Sequence, residues 1–121
     1  MEEIAERTTS GSVSRRDFAR YSAPELIEGD VPATMNSDTY SFAMLIVECI
    51  AEKIPFSHLS SDGAVIHLRI SKRRCPPRPN GRDPKNCVSD DLWDLMMRCW
   101  SVNYDRRPTM EQVHGFFQHQ V

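Results

Sequence analysis

A basic stretch contains the side chains best suited to binding phosphates. The stretch SKRRCPPRPNGRDPK, residues 71–85, includes six basic residues and one acid, Asp83. The six are Lys72, Arg73, Arg74, Arg78, Arg82 and Lys85. Cations at this density can contact nucleic-acid phosphates. No aromatic residue is interleaved and no recognition motif accompanies them, so we interpret the stretch as a solvated basic loop and expect no nucleic-acid partner.

The cysteine and histidine residues of the sequence raise the possibility of a zinc site. Four residues could together supply the ligands: Cys75, Cys87, His114 and His119. They lack a Cys-x-x-Cys knuckle and their spacing matches no structural zinc pattern, so we expect no metal site. Cys49 and Cys99 lie in apolar helical patterns, which predicts buried thiols. The four cysteines show no close pairing, and an intracellular chain keeps them reduced.

The composition limits the kind of protein that could position these groups. The 121 residues suffice for one domain, and 40% apolar with 26% charged residues is typical of a soluble globular chain. A net charge of -2 gives no general attraction to nucleic acid or to acidic membranes. The start of the chain lacks the order of a signal peptide, and its longest apolar run is shorter than the roughly 20 residues of a membrane span. We expect a cytoplasmic protein, with a nuclear location as the alternative, and no membrane partner.

The strongest helix signal is the stretch SDTYSFAMLIVECIAEK. Ser37 is its predicted N-cap, Asp38 suits the positive end of the helix dipole, and Pro55 stops the helix. Between residues 42 and 51 only Glu48 is charged. A helix that is apolar on nearly every side must be surrounded by protein, so we expect it to run through the middle of the domain.

Two further helices are predicted near the C-terminus. Ser89 caps the first, with Asp90 and Asp91 in its first turn. Its core-facing stripe has amphipathic spacing and consists of Leu92, Leu95, Met96 and Cys99. Thr109 and Gln112 belong to a capping box that opens the second helix. That helix directs three apolar residues inward: Val113, Phe116 and Phe117.

The remaining segments give weaker signals. Pro24 opens a short helical turn that Gly29 can end, and Ser61 or Asp62 could cap a helix over GAVIHLRIS. Four prolines and a glycine in CPPRPNGRDPKN predict an extended loop without a regular element. Residues 1–20 have no sustained apolar period, which indicates a mobile loop. Because no convincing strand is present, the sequence predicts a mainly α fold.

Three motifs occur in a fixed order between Arg20 and Phe117. They are RYSAPELIEG, then SDTYSFAMLIVECI with KIPF, then DLWDLMMRCWSVNYDRRPTMEQV. Their order and spacing resemble the second half of a eukaryotic protein kinase domain, of the tyrosine-kinase-like group. The resemblance implies the helical C-terminal lobe of the protein-kinase-like fold, with the N-terminal lobe and the catalytic loop absent. It divides the chain into a flexible remnant of the activation loop, residues 1–19, and a partial protein kinase domain, residues 20–121.

The resemblance assigns a structural ion pair. Ala23-Pro24-Glu25 resembles the tripeptide that ends a kinase activation segment, and Arg107 matches the arginine that pairs with its glutamate. A bidentate carboxylate–guanidinium bond would pin that segment to the helices. The alternative is that both are solvated surface charges.

The resemblance also assigns a helix anchor and a substrate floor. Asp38 resembles the aspartate at the start of the central kinase helix, where it accepts hydrogen bonds from the catalytic-loop backbone. Ordinary charge at a helix N-terminus explains the same residue and is compatible with that role. Arg20, Tyr21 and Ser22 lie where kinases form the floor for a substrate residue.

A run of hydroxyl residues resembles the remainder of an activation loop. The candidate phosphorylation sites are Thr8, Thr9, Ser10, Ser12 and Ser14. A phosphate there could pair with Arg15 or Arg16 and order the segment, and an unmodified flexible tail is the alternative.

The adjacent RRDF is similar to two kinase active-site motifs. Arg replaces His, Ala19 replaces Gly and Pro24 follows too soon, so we interpret it as coincidental.

The parts that perform phosphoryl transfer in kinases are missing from this sequence: a glycine-rich loop, a strand lysine, a catalytic aspartate and a magnesium-binding aspartate. The resemblance implies that a complete domain uses ATP and Mg to phosphorylate protein Ser/Thr or Tyr. This chain alone, with no cofactor and no catalytic residue, is predicted to be inactive. The alternative is a non-catalytic, kinase-derived interaction module that uses residues 58–88. Both interpretations imply a protein substrate or partner protein.

The missing elements also have a consequence for folding. They should cover one side of the central helix, so a chain without them would expose an apolar patch. Asp38 would lack its backbone donors. We therefore expect marginal stability and a tendency to aggregate.

Overall fold

The computed structural model describes residues 15–29 and 31–118. The α-helices in these ranges are α1 (Arg15–Tyr21), α2 (Pro24–Glu28), α3 (Met35–Ala51), α4 (Asp62–Ile66), α5 (Asp90–Cys99) and α6 (Met110–Gln118). A π-helical turn, His67–Ser71, continues α4, and 3₁₀ turns lie at Pro84–Asn86 and Tyr104–Arg106. The described ranges contain no strand, only an isolated bridge between Asn80 and Cys87. The prediction of a mainly α fold is confirmed.

Helix α3 begins earlier than predicted, because Thr34 and not Ser37 is its N-cap. The Thr34 hydroxyl accepts a hydrogen bond from the Ser37 N–H at 3.3 Å, and the Ser37 hydroxyl accepts one from the Thr34 N–H at 2.8 Å. This reciprocal capping box satisfies two amides that a helix N-terminus leaves free. The prediction for Ser37 is therefore wrong. Glu52, in the left-handed conformation with φ 59°, ends the helix before Pro55.

Helix α3 supplies the middle of the core but leaves one flank in solvent. Its buried apolar residues are Tyr40, Ala43, Met44 and Val47. Leu45 is 50% exposed and Cys49 is also exposed, so the buried-thiol prediction is wrong for Cys49. It is confirmed for Cys99, where burial raises the pKa of the thiol to about 11. No helix in the described ranges is long and apolar enough to cross a bilayer.

The two C-terminal helices follow the sequence prediction closely. The Ser89 hydroxyl accepts from the Leu92 N–H at 3.2 Å and caps α5, whose Leu95, Met96 and Cys99 are buried. In α6 the predicted capping box is present: the Thr109 hydroxyl accepts from the Gln112 N–H at 3.1 Å. The Gln112 side-chain oxygen accepts from the Thr109 N–H at 2.9 Å. These signals are local, so the sequence alone carries them.

The shorter elements agree with prediction except for the first helix. Gly29, with φ 83°, ends α2 as expected, and Ser61 caps α4. The loop prediction for residues 75–86 holds apart from the three-residue 3₁₀ turn. The loop interpretation of residues 1–20 is wrong for residues 15–20, which belong to α1. The division of the chain after residue 19 stays a prediction. Residues 1–14 lie outside the described ranges.

The exposed flank of α3 leads to a prediction about self-association. Leu45→Lys should reduce aggregation of the chain, because it removes an apolar side chain from a surface where α3 already exposes Cys49. The free energy of unfolding should change by no more than about 0.5 kcal/mol. Light scattering against concentration and urea denaturation measure the two effects.

Val102→Lys is the matched control, because Val102 is equally exposed but does not lie on α3. Equal suppression of aggregation by both substitutions would show that general charge, and not the α3 flank, controls the effect.

Candidate functional site: a peptide segment held by three arginines

Three buried arginines hold residues 19–25, which we term the clamped segment. Arg20, Arg69 and Arg107 are 1%, 2% and 4% exposed. A guanidinium keeps its charge in a protein interior, so its N–H groups need acceptors there. The structure supplies backbone carbonyls for all three and a carboxylate for one.

Arg107 joins the clamped segment to two helices. Its Nη1 and Nη2 donate to the two carboxylate oxygens of Glu25 at 2.7 and 2.8 Å. Nη1 also donates to the Asn36 carbonyl at 3.1 Å, and Nε donates to the Ser101 carbonyl at 2.9 Å. The structure therefore brings Glu25 and Arg107 together as a bidentate pair whose side chains are 11% and 0% exposed. One guanidinium links α2, the first turn of α3 and the segment after α5.

The pKa of the Glu25 carboxyl reflects this environment. Burial acts to raise the pKa, but the hydrogen bond from Arg107, a backbone hydrogen bond and the charges of Arg107 and Arg69 outweigh it. The net result is a pKa below the ordinary value. Glu25 therefore carries its charge at neutral pH and balances the buried guanidinium.

Arg69 holds the clamped segment at a second point. Its Nη1 donates to the Ala19 carbonyl and its Nη2 to the Ser22 carbonyl, both at 2.7 Å. Arg69 lies in the π-helical turn, where the Lys72 N–H donates to the His67 carbonyl five residues back. Such turns are rare and often occur at functional sites. Arg69 comes four residues after the buried Val65, and its two carbonyl partners have no sequence signature.

Tyr40 lies between two of the clamping arginines. The Arg69 guanidinium carbon is 5.2 Å from the Tyr40 ring centroid, and that of Arg107 is 4.9 Å away. Both contacts have cation–π geometry, which stabilises a cation that water cannot reach. Burial raises the pKa of the Tyr40 hydroxyl above its ordinary value, although Arg69 acts in the opposite direction. The ring is therefore neutral and its faces attract both cations.

Arg20 belongs to the clamped segment but points away from its surface. Its Nη1 donates to the Pro55 and Phe56 carbonyls at 2.8 and 2.7 Å, and its Nη2 to the Leu59 carbonyl at 2.7 Å. Arg20, a predicted substrate-floor residue, is thus a buried side chain that connects α1 to residues 55–59. These acceptors are backbone carbonyls, which have no sequence signature.

Tyr21 and Ser22, the other floor candidates, are half-buried beside α3. The Tyr21 hydroxyl donates to the Glu48 carboxylate, and the Ser41 hydroxyl donates to the Tyr21 carbonyl at 2.9 Å. Asp38 is exposed at the start of α3. Within residues 15–29 and 31–118 its carboxylate makes no hydrogen bond, and its role as a helix anchor stays a prediction.

The remaining predicted sites are not brought together in the described structure. The candidate phosphorylation sites, Thr8, Thr9, Ser10, Ser12 and Ser14, lie outside the described residues. His119, one of the considered zinc ligands, is also outside them. Among the residues that the structure describes, no group of three His, Cys, Asp or Glu side chains could hold a metal ion. Burial raises the pKa of the Cys75 thiol, so this residue is a poor metal ligand.

The Glu25–Arg107 pair predicts a pH-dependent contribution to stability. Glu25→Gln should destabilise the chain at neutral pH by about 2–4 kcal/mol, because Arg107 keeps a buried charge without its counter-charge. Since the folded-state pKa of Glu25 is lowered, the advantage of the native residue is present above its ordinary pKa of 4.5 and is lost as the pH falls through the folded value. Urea denaturation of both proteins from neutral pH to about pH 3 measures the difference.

Glu28→Gln is the matched control, because Glu28 lies in the same helix and is exposed, 3.6 Å from Arg73. This variant should differ little from the native chain. A difference between the native chain and Glu25→Gln that stays constant down to about pH 3 would contradict the charge-based role of Glu25.

Arg69 provides an independent test of the clamp. Arg69→Met should lower the free energy of unfolding by about 2–3 kcal/mol, because the Ala19 and Ser22 carbonyls lose their donor. Arg69→Lys should give an intermediate loss, since a point-like ammonium cannot replace a planar two-pronged donor. Denaturation measures stability, and amide hydrogens should exchange faster in α1 than in α5.

Lys72→Met is the control, because Lys72 is an exposed neighbour of Arg69, and it should leave the free energy of unfolding unchanged. A decrease as large as that of Arg69→Met would refute the role assigned to Arg69.

Three curated kinases illustrate the similarity of this chain to known proteins. Probable serine/threonine-protein kinase gdt4 of Dictyostelium discoideum is 31% identical over 100 residues, which are 83% of this chain and 6% of the relative. Proto-oncogene tyrosine-protein kinase ROS of Homo sapiens is 33% identical over 100 residues, 82% of this chain and 4% of the relative. A putative mitogen-activated protein kinase kinase kinase 7-like protein of Drosophila melanogaster is 29% identical over 120 residues, 97% of this chain and 29% of the relative.

The chain thus spans less than a third of the length of each of these relatives. A family profile described as protein tyrosine and serine/threonine kinase matches residues 2–117. This match includes the clamped segment, all three arginines and the helices that they join. Because the match covers nearly the whole sequence, the chain belongs to the protein tyrosine and serine/threonine kinase family and is part of a protein kinase domain.

Proposed function

We propose that this chain supplies the helical C-terminal lobe of a kinase of the tyrosine-kinase-like group, and that its clamped segment receives the protein substrate. The observation that carries the proposal is the bidentate bond between Glu25 and Arg107. That bond fixes one end of the clamped segment, and Arg69 fixes the other through the Ala19 and Ser22 carbonyls.

A fixed segment suits substrate binding for an energetic reason. Ordering a loop when a ligand binds costs conformational entropy, and a segment that is already ordered avoids that cost. In the clamped segment the carbonyls of Ala19, Tyr21 and Ser22 all accept hydrogen bonds from side chains elsewhere in the fold. Tyr21 and Ser22 keep part of their surface accessible, so a substrate residue could lie against them.

In the complete domain, ATP with Mg would supply the phosphoryl group for a Ser, Thr or Tyr acceptor. The residues of this chain do not fit that cofactor. The sequence has no glycine-rich phosphate loop, and the described ranges hold no cluster of metal-binding side chains. We therefore derive no catalytic step from this chain, and we propose that it is inactive without the rest of a kinase domain.

The proposal predicts that the 121-residue chain does not bind magnesium-ATP. In a thermal-shift titration, magnesium-ATP should leave the melting temperature unchanged, because only a ligand that binds the native state raises it. An active protein kinase domain titrated in parallel shows the shift expected for binding. Saturable stabilisation of this chain, or phosphoryl transfer to casein, would overturn the proposed dependence on the rest of the domain.

A further inference from the structure

A second surface, distinct from the clamped segment, consists of two adjoining pits beside the end of α3. One pit has a volume of about 280 Å³ and the other about 300 Å³. Phe56, His58 and Pro77 line both, so the pits form one continuous groove, which we term the proline groove. None of the residues argued to carry the kinase-related function lines it, so inferences about this groove do not rest on the proposed function.

The proline groove is apolar at its base and has a wall that cannot pair with another backbone. Val47 and Phe56 form buried parts of the lining. Pro76, Pro77 and Pro79 form one wall. Proline has no N–H to donate, so a bound chain cannot extend a β-ladder along this wall. Recognition must therefore come from side chains that enter the pits and from charges at the rim.

The rim of the proline groove carries two cationic side chains, Lys53 and Arg74, and the imidazole of His58. Lys53 and His58 line the first pit, and His58 and Arg74 line the second; all three are exposed. In the part of the chain that the structure describes, none of the three forms an ion pair. Arg78, which also borders the first pit, is already bound to Asp90 at 2.8 Å.

Two other cations of the basic stretch are paired, whereas Lys72 and Arg82 form no ion pair in the described ranges. Arg73 lies 3.6 Å from Glu28, and Lys85 lies 3.7 Å from Glu52. Glu52, which precedes Lys53 in sequence, also accepts a hydrogen bond from the Asn86 amide. Among the residues that the structure describes, Lys53 and Arg74 border the apolar groove without forming an ion pair, and this combination favours a ligand with carboxylates next to apolar side chains.

The backbone around the proline groove is held in an unfavourable conformation. The non-glycine residues with positive φ in the described ranges are Glu52, Phe56 and Arg73, and all three lie next to residues that line the groove, or line it themselves. Positive φ is uncommon for a bulky residue such as Phe56. The Phe56 carbonyl accepts a hydrogen bond from Arg20 at 2.7 Å. Strain of this kind clusters at binding sites, where the surrounding fold maintains it.

We propose that the proline groove binds a short, extended acidic peptide of a partner protein. Two apolar side chains of the peptide enter the pits, and flanking carboxylates pair with Lys53 and Arg74. A nucleic acid fits less well, because of the two aromatic rings that line the groove Phe56 is 2% exposed and presents no face for base stacking, which leaves the imidazole of His58 alone.

A labelled peptide probe tests this assignment. Fluorescence anisotropy is measured while the 121-residue chain is titrated into fluorescein-labelled Glu-Leu-Asp-Glu-Leu-Asp. Binding should saturate and weaken with added salt, because the rim charges are exposed and screened. Two further probes are titrated in the same way. The same peptide with serine in place of both leucines tests the contribution of the apolar side chains, and a labelled oligothymidylate tests whether the groove binds nucleic acid.

Two double variants separate the groove from general positive charge. Lys53→Ala with Arg74→Ala should raise the Kd of the peptide about tenfold, as expected for the loss of two exposed charge contacts. Lys72→Ala with Arg82→Ala removes the same charge from exposed residues that line neither pit, and should leave the Kd within about twofold. Circular dichroism establishes that both variants keep their helices.

Several results would overturn the proposal. They are the absence of saturable peptide binding, equal weakening by the two double variants, and equal binding of the serine peptide. Tighter binding of oligothymidylate, weakened by Lys53→Ala with Arg74→Ala, would assign the groove to nucleic acid instead.

Discussion

Burial of three guanidinium groups against a single carboxylate is the constraint on which the clamped segment depends. Arg107 has the Glu25 carboxylate. In the described ranges Arg20 donates to backbone carbonyls, and Arg69 donates to backbone carbonyls and lies against the Tyr40 and Phe56 rings. Removing a cation from water is costly unless its donors are satisfied. The Nε atoms of Arg20 and Arg69 have no hydrogen-bond partner in the part of the chain that the structure describes, so the charge of each of these groups is satisfied through its Nη atoms. The accepting carbonyls are held in place for this reason, because movement of the backbone would remove these remaining partners.

Arg69 and Arg107 are coupled because both guanidinium groups contact Tyr40. Its ring contacts both Arg69 and Arg107, and the charge of Arg69 also contributes to lowering the pKa of Glu25. The central helix thus does more than fill the core. It places one neutral aromatic ring where two cations from distant parts of the chain need a polarisable neighbour. Groups coupled in this way are expected to respond non-additively to substitution.

The parts of the fold that the sequence predicted well are those with local causes. Ser89 and the Thr109–Gln112 box cap their helices through residues three positions away, and the apolar spacing of α5 identifies its buried face. Helix α1 was missed because its support comes from Arg69, fifty residues further along the chain. Cys49 and Cys99 have similar apolar neighbours in sequence, but only the tertiary packing determines which of them is covered.

The contacts of the candidate site also differ in how far the sequence predicts them. Its one carboxylate–guanidinium pair follows from a family motif, whereas the bonds of Arg20 and Arg69 to carbonyls leave no trace in residue types. Arg20 extends this argument to the second surface, since its Nη1 binds both the Pro55 and Phe56 carbonyls. Phe56, which has a positive φ, thus contacts a residue of the clamped segment and also lines both pits of the proline groove. The two surfaces are therefore physically connected through one buried guanidinium, and a ligand could couple them only if it bound two positions of Phe56 with different affinity.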